Sequence, residues 1–238
     1  MPEAVDAASG TLRKGSDLKL KRNRIWMSMA GVLIGAVSVG FFKLAAFGVD
    51  PFQSLVSGLD QWVPLDYGTL YVLINGILLL FSLVCDRHYI GIATMINLFL
   101  LGYVVQFSYD VLRLLFPQPE LWLRGTAFAV GFVGLCFGSS LYMTADLGVS
   151  TYDAIALIFT GTWKLGAFKM VRILTDLICV LLGVFSFLMG GGSLEKVTEF
   201  VGIGTIVTAF FMGPLIDLMN RRLAIPLLNR TQQKSART

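Results

Sequence analysis

Between residues 25 and 219 the chain is written as six apolar segments, over about 25–47, 67–84, 89–116, 121–145, 167–189 and 200–219. Each approaches the roughly 20 residues that an α-helix needs to cross about 30 Å of hydrocarbon. No other feature constrains the fold as much. In lipid every backbone N–H and C=O must be satisfied inside the protein, so such segments become helices. A mean hydropathy of +0.74 with 14% charged residues leaves no soluble domain of useful size. The expected class is an all-α polytopic membrane protein.

The segments repeat. Ile90-Gly-Ile-Ala-Thr-Met-Ile-Asn-Leu-Phe-Leu-Leu-Gly102 returns as Val201-Gly-Ile-Gly-Thr-Ile-Val-Thr-Ala-Phe-Phe-Met-Gly213, with Gly91/Gly202, Thr94/Thr205, Asn97/Thr208 and Gly102/Gly213 in register. Gly48-Val-Asp-Pro-Phe returns one hundred residues later as Gly148-Val-Ser-Thr-Tyr-Asp. Two halves, 25–116 and 121–220, are read on this basis. They are flanked by polar, basic tails over 1–24 and 221–238, the first expected to be disordered or to lie at the membrane surface.

Each half reads as span, short helix, span, span. Asp50 is a natural N-cap and Pro51 a natural first helical residue. In the second half Ser150 takes the cap, with Asp153 at the third position of a capping box. A helix of about 13 residues, roughly 20 Å, carrying Gln53, Ser54, Ser57 and Asp60, is too short and polar for a comfortable crossing. It is read as re-entrant or interfacial. Three crossings per half then invert the second half relative to the first, giving six spans as two inverted repeats. The basic residues agree. With the N-terminus inside, both tails, Arg87, Lys164 and Lys169 fall on the inner face, and Arg113, Arg124 and Lys196 on the outer. Gly31/Gly35 and Gly134/Gly138 form small-xxx-small faces for close helix packing.

No GxxxxGK[ST], HExxH or GxSxG motif is present, and no enzymatic activity or cofactor is expected. Cys85, Cys136 and Cys179 show no CxxC spacing, and His88 is a lone loop histidine, so no metal site is expected. The basic tails lack aromatic interleaving and point to a lipid bilayer rather than nucleic acid.

Candidate site residues are therefore polar groups at membrane depth. Asp176 is the deepest carboxylate, one helical turn from Arg172; the two pair, or they bind and couple a solute or ion. Asn75, Asn97 and Thr208 sit mid-span, available for interhelical hydrogen bonds or for a solute, and Thr208 can instead bond its own backbone. Asp50 and Asp153 cap the short helices and place charge where half-helices meet. Lys43, near the outer end of the first span, snorkels or enters the site. Phe42, Phe52, Tyr71, Tyr142 and Tyr152 are the aromatic residues that would line a cavity there.

The Gly-Val-x-Pro-Phe/Gly-Val-x-Thr-Tyr-Asp and Ile/Val-Gly-Ile-x-Thr segments resemble the bacterial YitT/YczE/YyaS group of integral membrane proteins, over about residues 25–220 and closest to its YczE-like branch. The soluble C-terminal domain of the YitT branch has no counterpart in this sequence. The resemblance implies a multi-span protein of the bacterial cytoplasmic membrane and supplies no catalytic residues. The expected function is a small secondary transporter or exporter of a small solute or ion, with its site at the midplane. The alternative is a non-transporting membrane protein that assembles or regulates a partner. Oligomer formation is left open.

Overall fold

The computed structural model describes the backbone of residues 2–236 apart from 62, 66 and 199, and side chains over 21–230 apart from those three and 67–68, 92 and 98–102. Among the described residues the chain is helical, without strands. In order the helices are α1 (Pro2–Ala45), α2 (Pro51–Asp60), α3 (Tyr67–Cys85), α4 (Ile92–Leu115), α5 (Leu121–Ala145), α6 (Thr151–Leu157), α7 (Phe168–Met189), α8 (Leu194–Val197), α9 (Ile203–Met219) and α10 (Ile225–Ala236). A π-turn, Ile158–Thr162, extends α6, and another, Asn220–Ala224, joins α9 to α10. Four helical stretches among the described residues are long and apolar enough to cross a membrane: Lys21–Ala45, Leu121–Ala145, Phe168–Met189 and Ile203–Arg230.

Both tails are helical where described. Residues 2–24, expected to be disordered or to lie at the membrane surface, continue α1. A helix anchored by an apolar span propagates backwards without a new nucleus, and after Pro2 this stretch holds no proline. Beyond 221 the basic tail is helical as far as Ala236, with Ala224 and Leu228 packed against Met27, Leu141 and Ala145. Pro214 lies inside an unbroken α9.

The glycine faces do what their spacing predicts. A Cβ on Gly31 would stand 2.7 Å from the Gly138 carbonyl oxygen, and one on Gly138 2.6 Å from that of Gly31. α1 and α5 therefore touch backbone to backbone. α2 lies on α7 in the same way, with Gly58 against the backbone of Gly183.

The repeated Gly-x-x-Thr segments have a role that spacing did not reveal. The loop after α1 docks onto the start of α9: the Val49 N–H donates to the Phe200 carbonyl (3.2 Å), the Gly204 N–H to Phe47 (2.8 Å) and the Thr205 hydroxyl to Val49 (2.6 Å). The loop after α5 docks onto the start of α4: the Val149 N–H donates to Tyr89 (2.9 Å) and the Ala93 N–H to Leu147 (3.1 Å). Gly48 and Gly148 both need glycine, at φ +106° and +104° and pressed against Gly202 and Gly91. Each Gly-x-x-Thr start is thus a cradle for the Gly-Val loop of the other half. The surroundings of Gly102 lie outside the described residues.

His88, read as a solvated loop residue, is exposed but paired. Its Nε2 stands 2.9 Å from Asp146, which also meets Arg24 at 3.4 Å. Beside it Asp86 caps the turn Arg87–Tyr89 and accepts from the Thr162 hydroxyl at 2.5 Å. That hydrogen bond, with one from the His88 N–H, holds the Asp86 carboxyl below the usual carboxylate range.

Candidate functional site

Crossed docking brings the starts of α2 and α6 together. The Asp50 carboxylate accepts from the Gln53 N–H (3.0 Å) and the Gln53 side-chain amide (2.5 Å). That confirms the N-cap and adds a partner. The Ser150 hydroxyl accepts from the Asp153 N–H (3.1 Å). The Asp153 carboxylate does not turn back to the Ser150 N–H, as a full capping box would require. It accepts from the hydroxyls of Ser150 (2.7 Å) and Tyr142 and from the guanidinium of Arg172.

Arg172 stands at the centre. Its Nη1 donates to Asp153 and its Nε to Asp176 at 3.3 Å, and the guanidinium lies over the Tyr152 ring, 4.5 Å from the centroid. The Tyr152 hydroxyl donates to the other Asp176 oxygen at 2.5 Å. Arg172 and Asp153 are each 4% exposed and Asp176 0%, so three charged groups share one buried network. The i,i+4 pair predicted on α7 is present, but as part of a triad with a residue of α6.

A cavity of about 420 Å³ opens beside this network. Of the sequence candidates, Lys43, Asp50, Asn75, Asn97, Asp153 and Arg172 line it. So do the aromatic residues Phe52, Tyr71, Tyr142 and Tyr152. Phe52 stacks on Tyr152 at 5.2 Å, where the two short helices meet. Asn75 accepts from the Thr151 hydroxyl at 2.6 Å and donates to the Tyr71 carbonyl at 2.9 Å, tying α3 to α6. The Asn97 carboxamide makes no hydrogen bond to a described residue.

Two candidates are placed differently. Asp176 lies behind the wall, reached through Arg172 and Tyr152. The Thr208 hydroxyl donates back to the carbonyls of Gly204 (3.0 Å) and Thr205 (2.9 Å), as a lone helical threonine does in an apolar setting. Phe42 lines a second cavity of about 430 Å³, which shares Val39, Lys43, Asp50, Gln53 and Leu135 with the first. Lys43 stands at the junction, its ammonium 5.7 Å from the Tyr109 ring centroid.

Sequence reasoning passed over Gln53, Thr94, Ser139 and Thr151 as lining residues. The repeat register carried a signal for Gln53, one hundred positions before Asp153. Arg124 was read only as an outer-face charge. It donates to the Ala45 (2.7 Å) and Ala46 (2.8 Å) carbonyls, satisfying the C-terminal end of α1.

The model of a family of unknown function, DUF6198, matches residues 22–221. The chain is 23% identical to the Bacillus subtilis (strain 168) protein YyaS over 188 residues, 79% of this chain and 88% of that one. It is 26% identical to the Bacillus subtilis membrane protein YczE over 203 residues, 84% and 86% of the two chains. A Haemophilus influenzae protein is 25% identical over 192 residues, 78% and 80%. No solved structure matches.

Proposed function

The chain belongs to the DUF6198 family, as a membrane protein similar to YczE and YyaS, and from that premise we propose that it is a small secondary transporter with its site in the cavity between α2, α6 and α7. The carrying observation is this cavity of about 420 Å³, walled from both halves and holding Asp50, Asp153 and Arg172. Ionisable groups at membrane depth cost at least about 2.5 kcal/mol each on insertion scales, which a purely packing role does not repay. The Asn97 carboxamide, on the cavity wall and without a hydrogen bond to any described residue, supports the same reading. A protein that only assembles a partner needs no such cavity.

In this reading the chain crosses the bacterial cytoplasmic membrane six times, as two inverted halves with both termini inside. The paired docking of the Gly-Val loops supports it, since each half supplies what the other receives. α2, with 10 residues, is about 15 Å long, half of the hydrocarbon thickness, and stays re-entrant. Alternating access then rocks one half against the other about the short helices.

The test is flux. Reconstituted into proteoliposomes, the protein should carry at least one member of a panel of labelled amines, carboxylates, amino acids and monovalent ions. Gly35 lines the cavity, and a Cβ there would meet only Leu135, at 3.8 Å. Gly35→Met should therefore fill the cavity, leave the fold intact and reduce flux at least about tenfold, since a transporter works only with its site open. Absence of protein-dependent flux across the panel, or undiminished flux in the plugged variant, would sink the transport reading.

A further inference from the structure

We propose that the triad Asp153–Arg172–Asp176 is a proton-binding site, with Asp176 carrying the proton and the Tyr152 hydroxyl passing it to the cavity. This deepens the transport reading and rests on it for the use of the proton, while the site itself stands on geometry.

The first observation is charge. One guanidinium lies between two buried carboxylates, so the closed triad carries one negative charge more than it balances. Asp176 is fully enclosed, and isolated charge is not left unbalanced in such a setting. One proton restores neutrality.

The second is how the oxygens are occupied. Asp153 receives Arg172, Tyr142 and Ser150, three donors that fit an ionised carboxylate. Asp176 receives the Tyr152 hydroxyl and, at 3.3 Å, a long contact from Arg172 Nε. Asp176 is the less compensated of the two and the one to take a proton. A metal cation would need oxygens gathered around it, commonly six or more for hard cations. Here the carboxylate oxygens are already met by N–H and O–H donors.

The third is the contrast between the halves. One hundred positions before Tyr152 and Asp153 stand Phe52 and Gln53; one hundred and one before Arg172 and Asp176 stand Tyr71 and Asn75. At the positions matching Asp153, Arg172 and Asp176 the first half is neutral and lacks the relay hydroxyl; its own carboxylate, Asp50, stands at the helix cap, where the second half has Ser150. The neutral positions still pack, with Phe52 stacked on Tyr152 and Asn75 bonded to Thr151. Packing at these positions therefore does not require the charges of the triad.

The groups facing Asp176 are Arg172 and Cys179 on its own helix, Tyr152 on α6, and Asp50 at the start of α2; Asp153 of α6 and Cys136 and Tyr142 of α5 stand beyond Arg172. The transfer balances simply. The O–H bond of the Asp176 carboxylic acid breaks and its proton passes to the Tyr152 oxygen. The phenolic proton of Tyr152 leaves to water in the cavity. The result is a carboxylate, an unchanged tyrosine and a protonated water.

Infrared difference spectroscopy on the full chain in nanodiscs reads this site without any solute. Stepping the pH from about 9 to about 5, the range over which buried carboxyls titrate, should bring up a carboxylic C=O band. The band should be lost in Asp176→Asn, be kept in Asp50→Asn, and move in frequency in Tyr152→Phe. Persistence of the band in Asp176→Asn, or no carboxyl protonation in that window in the unmodified protein, overturns the proposal. Should Asp176→Asn fail to fold, Tyr152→Phe decides: a moved band supports the proposal and an unmoved one overturns it. A protein that shows the band but no flux keeps the proton site and loses the transport reading. Flux without the band does the reverse.

Discussion

Arg172 is the residue on which the interior charge depends. Removing one partner of a buried ion network strands the others, so Arg172→Gln should cost about 3–5 kcal/mol. Neutralising the whole set, Asp153→Asn with Arg172→Gln and Asp176→Asn, should recover most of that loss, because the corresponding residues Gln53, Tyr71 and Asn75 are neutral. Thermal unfolding in detergent measures both, and a triple variant no more stable than the single would refute the account. Asp86 offers a pH test outside the membrane. Its carboxyl is held low by Thr162, so the stabilisation is present above the ordinary carboxylate pKa of about 3.9 and is lost as pH falls through the lower folded value. Thr162→Val should therefore melt slightly earlier than the unmodified protein at about pH 7, with the difference shrinking as the pH falls below the ordinary carboxylate pKa and through the lowered folded value. At this scale six of the eight candidates read from the sequence line the cavity and Asp176 backs it. Thr208 takes the other course open to it, its hydroxyl satisfied on its own helix backbone.

At the scale of elements, the short helices are held by glycine contacts and by docked loops. Gly58→Leu would drive a side chain into the backbone of Gly183, which cannot yield. It should release α2 from α7 at a cost of about 1–3 kcal/mol or more, seen as faster proteolysis in the segment between α2 and α3. Gly48→Ala and Gly148→Ala should each destabilise by more than about 1 kcal/mol, since both combine a positive φ with a crowded cradle. Similar losses in melting temperature are expected for the two, and a neutral result for either would remove it from the docking scheme. The element boundaries were readable because apolar length and capping are local properties. The cradles were not, because a Gly-x-x-Thr start looks the same whether it packs a helix or receives a loop.

For the molecule as a whole, the proposed orientation puts the loops around Arg87 and Lys164 inside and those around Gln118 and Ser193 outside. In a variant with Cys85, Cys136 and Cys179 replaced by serine or alanine, cysteines at Gln118 and Ser193 should react with an impermeant maleimide on intact cells. Cysteines at Arg87 and Lys164 should react only after permeabilisation. Labelling of all four from one side would overturn the inverted arrangement. By itself the sequence determined that this chain is a helical membrane protein, where most helices begin and end, and which polar groups interrupt the apolar segments. Those follow from composition and from hydrogen bonding along the chain. Only the tertiary structure decided that Asp153 joins Arg172 and Asp176, that the Gly-Val loops exchange between halves, and that the two short helices meet at a cavity. Such contacts link residues far apart in the chain, 156 positions from Val49 to Thr205. They depend on how close the glycine faces let the helices come, which no local pattern encodes.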